Sequence, residues 1–200
     1  DALRRQPRDM VYSLSNSAPL KNAEDYENLS NMVRTTADIR DAWDSHSSRD
    51  AFCSSIKEIW REHDKWASHC GPGHWTDPDM LVVGPVGWGC RTNACGEHVP
   101  CNHLTLDEQL THMTLWILWS APLLIGCDLE WIDAKTLDML CNREALKINE
   151  DSLGHQGKTV SRHGDAVVVT KPLANGDIAV GLFNTGNNKR QVSVTWGELG

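Results

Sequence analysis

Short apolar runs alternate with longer amphipathic stretches over the first part of the chain. The runs lie at residues 10–15 (MVYSLS), 80–84 (MLVVG) and 121–126 (APLLIG). Because they are apolar on both faces, they favour buried parallel strands over half-exposed antiparallel ones. The stretches between them have the apolar spacing of helices, at residues 22–33, 52–66 and 133–141 and after Thr105. This alternation predicts βα units, whose right-handed crossovers build a parallel sheet or a barrel.

One helix start is marked particularly clearly. Thr105 is followed three residues later by Glu108, the spacing of a capping box, and Leu110, Met113 and Trp116 continue the apolar face. In a capping box each of the two side chains bonds the other residue's backbone N–H group. We therefore predict a helix that begins directly after Thr105.

The pattern changes after Leu153. Residues 166–172, 177–186 and 191–196 are rich in β-forming residues, and Asn175-Gly176 and Gly186-Asn187 are typical turn sequences. We predict an antiparallel β region from residue 153 to residue 200, with a boundary near residue 152. The chain begins with Asp1 rather than Met and stops a few strands into this region. We therefore expect the natural protein to extend beyond both ends.

Composition and charge narrow the class of partner. With 40% hydrophobic and 23% charged residues the chain is typical of a globular protein. The formal charge of −8 argues against nucleic acid as a partner. The longest apolar run, Leu115–Cys127, is interrupted by Ser120 and Pro122, so no membrane span is expected. Nine Trp against two Tyr and two Phe suit either core packing or stacking against sugar rings.

Carboxylates occur at three predicted strand ends, where a βα barrel places its active site. Asp38 follows the segment that begins at Arg34, Asp77 and Asp79 flank Pro78, and Asp128 follows the run at 121–126. For Asp77 and Asp128 a structural role is as compatible with the sequence as a functional one. An Asp before Pro is common in turns, and Asp128 is placed to cap the following helix.

Four longer blocks carry a resemblance to a known family. They are VRTTADIRDAWDS, DKWASHCGPGHWTDPDMLVVG, HMTLWILWSAPLLIGCDL and REALKINEDSLGHQG. In order and spacing they resemble signature blocks of the α-galactosidases of glycoside hydrolase family 27, over about residues 10–160. The resemblance implies an α/β fold: the C-terminal half of a (β/α)8 TIM barrel at residues 1–152, followed by part of an antiparallel β-sandwich.

The resemblance also implies roles for individual residues. Asp38 matches the general acid/base of a retaining exo-glycosidase, while Arg34 and Asp79 match sugar-binding residues and Met80 lies beside them. The family's nucleophile is an Asp in a Lys-x-Asp strand end that precedes the 10–15 strand. Nothing before Met10 supplies it. We therefore expect the 200 residues alone to be inactive, and we expect no cofactor and no metal.

Departures from the family pattern leave the exact sugar open. Ser15-Asn16-Ser17 stands where many relatives have Cys-Glu-Trp, and a small Ser15 leaves room for a larger substituent at the sugar's 2-position. His74 and Thr76 also replace the usual residues, which suggests a reshaped pocket. The expected substrate is a galactose-containing oligosaccharide or glycoconjugate. Alternatives are α-N-acetylgalactosaminidase, β-L-arabinopyranosidase or a non-catalytic carbohydrate-binding module derived from such an enzyme.

A segment at residues 88–103 concentrates thiols and imidazoles. Cys90, Cys95 and Cys101 lie there with His98 and His103, in spacings that match no strong zinc signature. These spacings disfavour a zinc site, which leaves a disulfide within the loop or free thiols as the alternatives. Seven cysteines leave at least one without a partner in the chain. This segment and the expected substrates suggest an extracellular or periplasmic location.

Overall fold

The computed structural model describes residues 2–15, 17–44, 53–88, 91–92, 98–99 and 101–199. Its strands, in chain order, are β1 (Ser13–Leu14), β2 (Met32–Arg34), β3 (Trp75–Asp77), β4 (Arg91–Thr92), β5 (His98–Val99), β6 (Lys158–His163), β7 (Ala166–Pro172) and β8 (Ile178–Asn184). Its helices are α1 (Ala23–Leu29), α2 (Ile56–His63), α3 (Leu106–Leu118), α4 (Ala134–Leu140), α5 (Arg143–Asn149) and α6 (Trp196–Leu199).

A parallel sheet in the order β1-β2-β3 forms the first part of the chain. Leu14 pairs with Val33, and Arg34 pairs with Asp77, so the carboxyl ends of the three strands meet at one edge. The helices α1 and α2 occupy the crossovers, as the predicted βα pattern requires. The strand predicted at residues 10–15 is confirmed only in part, since β1 covers two of those residues.

Two predicted strands are much shorter than expected. Residues 80–84 and 121–126 meet in a single parallel bridge, Leu81 to Ile125. Side chains replace the missing ladder partners: His112 Nε2 accepts from the N–H of Val82, and Gln109 Oε1 accepts from that of Gly84, at 2.9 and 2.8 Å. Asn102 donates to the carbonyl oxygens at 82 and 84. The prediction of regular strands was therefore wrong in extent, because side chains of Asn102 and of helix α3 bond the backbone groups that a neighbouring strand would otherwise pair with.

Helix predictions succeed where the signal is local. The capping box at Thr105 is confirmed, with Glu108 N to Thr105 Oγ1 at 3.3 Å and Thr105 N to Glu108 Oε2 at 2.7 Å. The helix predicted over residues 133–141 is α4, and Asp133 is its N-cap. The helix predicted over residues 22–33 was wrong at its end, because Met32 and Val33 form β2. The helix predicted over residues 52–66 is α2, followed by a 3-10 turn at Asp64–Trp66, and residue 52 lies outside the described residues.

The predicted antiparallel region is present as a three-stranded sheet, β6-β7-β8. Residues 166–172 form β7 as predicted, and the turn at Asn175-Gly176 is confirmed, with Gly176 at a φ of 89°. Residues 191–196 are not a strand: residues 191–195 lack regular structure and α6 begins at Trp196. The boundary near residue 152 stays a prediction; α5 ends at Asn149 and β6 begins at Lys158.

One hydrophobic core joins the helices to this antiparallel sheet. Trp60 of α2 and Trp116 of α3 are buried with Val167, Val169 and Phe183 from β7 and β8. No helix in the described part of the chain is long and apolar enough to cross a membrane.

A buried lysine also links the two regions. Lys171 on β7 is fully buried, and its ammonium group donates to Ser120 Oγ at 2.6 Å and to the carbonyl oxygen of Ile148 at 2.5 Å. Burial lowers the pKa of Lys171 to about 8. The ammonium group therefore depends on the α3 and α5 ends for its hydrogen bonds.

Removing the capping box should destabilise the protein. We expect Thr105→Ala to lower the free energy of unfolding by about 1 kcal/mol, because the first turn of α3 loses its side-chain acceptor. Thr111→Ala is the matched control, since Thr111 lies within the same helix and caps nothing. Urea unfolding of the full-length variants measures both, and equal losses would contradict the capping role.

Candidate active site

The candidate site lies where the carboxyl ends of β1, β2 and β3 meet. Arg34 is the last residue of β2 and pairs with Asp77, the last residue of β3. Leu14, the last residue of β1, pairs with Val33. The exposed Ser15 follows Leu14 as Arg34 follows Val33, so both residues come at this edge. This is the edge of a parallel βα sheet at which active sites are found.

Arg34 gathers two carboxylates at this edge. One terminal nitrogen lies 2.5 Å from Asp38 Oδ1 and the other 3.0 Å from Asp79 Oδ2. The side chains of Arg34 and Asp79 are 12% and 14% exposed, whereas that of Asp38 is 67% exposed. One cation thus faces two anions, and the more accessible anion is Asp38.

Asp79 is held in a conformation that few residues adopt. Its φ of 100° lies in the left-handed region, which costs a non-glycine residue about 1–3 kcal/mol. Its carboxylate accepts from the N–H groups of Ile39 and Met80, both at 2.8 Å. Asp77 Oδ1 accepts from the N–H of Asp79 at 2.8 Å. These bonds, with the Arg34 ion pair, fix the direction of the carboxylate.

Asp77 lies beneath this cluster and is buried. The pKa of Asp77 is raised to about 6, chiefly by burial. The bond to the Asp79 backbone and the charge of Arg34 act against the increase, and the nearby charge of Asp79 adds to it. The alternative that Asp77 is a turn residue is supported in part, because its carboxylate accepts from the backbone two residues further on.

Met80 packs at the same strand end. It is half-buried, and a Cβ added to Gly126 would come within 2.6 Å of its sulfur atom. Gly126 therefore leaves the space that Met80 occupies, directly after the Leu81 to Ile125 bridge.

Three other residues suggested by the sequence do not join the cluster. His74 precedes β3, at the opposite end of the strand from Asp77, and its Nδ1 bonds the carbonyl oxygen of Ser30 at 2.9 Å. Thr76 is buried and donates to Gln156. The suggestion that His74 and Thr76 reshape the pocket was therefore wrong. Asp128 caps the 3-10 turn Leu129–Trp131, as its structural alternative predicted.

The thiol-rich segment is only partly described. Cys90, Cys95 and the side chain of His98 lie outside the described residues, so the disulfide question stays open. His103 Nδ1 lies 2.7 Å from Asp41 Oδ2, and the backbone N–H of His103 bonds the same oxygen. Within the described ranges, no group of three or more His, Cys, Asp or Glu side chains could hold a metal ion.

Comparison with known proteins assigns the fold to a family. The family model of α-galactosidase A matches residues 1–151, and that of the α-galactosidase C-terminal β-sandwich domain matches residues 163–200. The chain belongs to glycoside hydrolase family 27. The fold is accordingly part of a TIM barrel followed by part of a β-sandwich, as predicted.

Individual members of the family show the extent of the match. α-Galactosidase 2 of Arabidopsis thaliana is 36% identical over 199 residues, which cover 100% of this chain and 44% of that protein. A rice α-galactosidase is 33% identical, covering 100% and 42%. The crystal structure of a family 27 β-L-arabinopyranosidase from Geobacillus stearothermophilus is similar with a TM-score of 0.83 and 34% identity, covering 99% and 42%. The chain thus spans less than half the length of these relatives.

Two residues next to the cluster were missed by sequence reasoning. Thr35 follows Arg34 and His63 ends α2, and Thr35 Oγ1 and His63 Nδ1 lie 2.8 Å apart. Neither residue type is unusual in a core or at a strand end. The one available signal was the imidazole of His63 on the apolar face of α2.

Replacing Asp77 should change how stability depends on pH. The native pKa of Asp77 is about 6 and its ordinary value is 3.8, so the native state binds more protons between these values. Its contribution to the free energy of unfolding therefore falls by about 1.4 kcal/mol per pH unit from pH 4 to pH 6 and is constant above that.

Asp77→Asn lacks this slope but keeps an oxygen that can accept from Asp79. Urea unfolding at pH 4, 5, 6 and 7 should show the variant gaining on the wild type up to pH 6. The attribution to Asp77 fails if the difference between the two proteins is the same at every pH.

Proposed function

We propose that the full-length protein is a retaining exo-α-galactosidase that removes terminal α-linked galactose. The observation that carries the proposal is the Arg34 cluster, which joins Asp38 and Asp79 at the carboxyl edge of the barrel sheet. Family membership supports the reaction class. The charge of −8 fits a neutral glycan better than an anionic polymer.

Asp38 is assigned the acid/base role. Its side chain is the most exposed of the three charged side chains. Arg34 contacts only one of its two carboxylate oxygens, Oδ1. As an acid it protonates the glycosidic oxygen of the leaving group, and as a base it later deprotonates the attacking water. A solvent-accessible carboxyl group at the barrel edge suits both steps.

Arg34 and Asp79 are assigned to sugar binding. Both are mostly buried and fixed by several hydrogen bonds, so they present their remaining polar groups with little loss of side-chain freedom on binding. Met80 supplies an apolar surface beside them, and Ser15 a small polar one at the neighbouring strand end. Rigid polar groups beside an apolar surface suit a sugar, which has hydroxyl groups and an apolar ring face.

A retaining mechanism also needs a carboxylate nucleophile about 5 to 5.5 Å from the acid. Asp79 does not suit this role, because both of its oxygens accept backbone hydrogen bonds and one also contacts Arg34. We therefore assign no nucleophile among the described residues. By the family resemblance it belongs to a strand that precedes β1, so the experiments below use the full-length protein.

The substrate class also bears on location. We propose galactose-containing oligosaccharides or glycoconjugates as substrates and an extracellular or periplasmic site of action. Fractionation of the source cells, with activity measured in each fraction, tests the location. Activity confined to the cytoplasm would contradict it.

Replacing the proposed acid/base should remove most turnover. We expect Asp38→Asn to lower kcat/KM on an α-galactoside with a poor leaving group by roughly 10²- to 10⁴-fold, because the amide cannot donate and regain a proton. The amide oxygen still accepts from Arg34, so the melting temperature should change little. Steady-state kinetics and thermal unfolding measure the two quantities.

Asp128→Asn is the matched control for this variant. Asp128 follows the segment that bridges to Leu81 through Ile125, but its carboxylate only caps a 3-10 turn, which Asn does equally well. Wild-type activity is therefore expected. If Asp38→Asn keeps full activity, the acid/base assignment is wrong.

A second candidate is a β-L-arabinopyranosidase, favoured by the similarity to the Geobacillus stearothermophilus enzyme. β-L-Arabinopyranose has the ring of α-galactose without its hydroxymethyl group, so the two substrates share most hydroxyl contacts. We expect higher kcat/KM on aryl α-galactoside than on the aryl β-L-arabinopyranoside or α-N-acetylgalactosaminide. A preference for either of the other two would reassign the sugar while leaving the reaction class intact.

A further inference from the structure

A buried hydrogen-bond path leads from helix α2 to the Arg34 cluster. Successive side chains of a strand point to opposite faces, so Arg34 faces the site while Thr35 faces α2. Thr35 Oγ1 donates to the carbonyl oxygen of Asp77 at 3.1 Å and lies 2.8 Å from His63 Nδ1. The N–H of Thr35 bonds the same carbonyl oxygen at 2.9 Å.

The path fixes the state of His63. A hydroxyl has one hydrogen, so both contacts of Thr35 are hydrogen bonds only if it donates to Asp77 and accepts from Nδ1–H of His63, and we assign the tautomer on this ground. The ring is completely buried, which lowers the pKa of His63 to about 3, so it is neutral. Its hydrogen is therefore assigned to Nδ1, which leaves a lone pair on Nε2.

That lone pair makes the histidine costly for the core. Nε2 is buried and has no hydrogen-bond partner among the described residues. A buried acceptor without a partner costs about 1–3 kcal/mol. Packing does not require an imidazole here, because the ring lies 4.7 Å from that of Trp119, a contact that any aromatic side chain can make. Among the described residues, the hydrogen bond to Thr35 is the one hydrogen bond that the His63 ring makes.

The strand ends that this bond joins carry the site. Arg34 directly precedes Thr35, and Asp77 holds the backbone N–H of Asp79 through its own carboxylate. Asp79 has the strained φ of 100° and faces Arg34 across 3.0 Å. A shift of Asp77 by a few tenths of an ångström would therefore move the Asp79 carboxylate relative to Arg34.

We propose that His63 is a positioning residue, which acts through the Thr35 hydroxyl to fix the β2 and β3 ends that carry Arg34 and Asp79. The inference rests on the proposed sugar-binding role of Asp79. His63 touches no substrate. Its effect should appear in sugar affinity and in the Asp79 geometry, and it should depend on Thr35.

A double-mutant cycle in the full-length protein tests this dependence. We expect Thr35→Val and His63→Phe each to weaken binding of free galactose by roughly tenfold and to lower kcat/KM by ten- to a hundredfold, through misplacement of Asp79. The double variant should be no worse than Thr35→Val alone, because both remove one path. Additive losses would overturn the proposal.

Two further variants separate positioning from general stability. His63→Asn places an amide N–H where the Nδ1–H group lies and should restore most of the galactose affinity. His74→Phe is the matched control: His74 is also buried, bonds through Nδ1 and has an unpartnered Nε2, but it lies at the other end of β3. Its melting temperature should change in the same direction as that of His63→Phe, with galactose affinity unchanged. Equal loss of affinity in both would indicate a merely structural role.

The pH profile supplies a readout that structural damage does not move. Because His63 stays neutral, the limbs of kcat/KM against pH should keep their positions in all five variants. A displaced limb in His63→Asn would mean that the ring itself titrates during turnover, and the proposal would be wrong.

A crystal structure of His63→Phe decides the proposal even if the proposed function fails. If the wild type cleaves no α-galactoside, the enzyme assignment is at fault. The positioning role is then supported by an Asp79 carboxylate displaced from Arg34 in the variant, and overturned by one that is unmoved.

Discussion

One guanidinium group between two carboxylates determines the arrangement of the site. Arg34 ends β2, Asp38 follows four residues later, and Asp79 comes from the segment after β3. The carboxylates of Asp38 and Asp79 repel each other in this partly buried setting. The Arg34 guanidinium group, which contacts both, makes the arrangement stable. It also offsets the strain at Asp79, whose left-handed backbone persists because three N–H or N⁺–H groups hold its carboxylate. The parallel register brings these groups together, since Arg34 and Asp77 are directly paired.

The fold could be predicted from sequence where the signal was local. The capping box at Thr105 joins residues three positions apart, and the helices predicted after Thr105 and over residues 133–141 both begin where predicted. Strand extent depends on partners far along the chain. Met32 and Val33 continue a helical pattern but pair with β1 and β3, and the predicted strand at residues 80–84 bonds side chains of α3 instead. Residues 191–196 have the alternating pattern of a strand but no partner strand among the described residues, and they do not form a strand.

The site could be predicted in part. Asp38, Arg34, Asp79 and Met80 were selected through a resemblance, because carboxylates tens of residues apart have no spacing rule that joins them. The structure brings the first three into one cluster, while their chemical roles stay predictions. Thr35 and His63 could not be found, because nothing in a sequence says which core histidine faces a strand end. His74 illustrates the converse: its neighbours along the chain suggested the pocket, and the strand direction places it at the far end.

The buried ammonium group of Lys171 has a consequence for how this family can be recombined. Its hydrogen-bond acceptors are Ser120 and the carbonyl oxygens at the end of α5, whereas the lysine itself belongs to β7. A chimaera that joins another relative's sandwich to this barrel could place a side chain other than lysine against these acceptors. The reverse chimaera could bury the Lys171 ammonium group against a surface that offers it no acceptors. Either outcome leaves buried polar groups without partners. A chimaera that preserves this contact must therefore take Lys171 and residues 120 and 148–149 from the same parent protein.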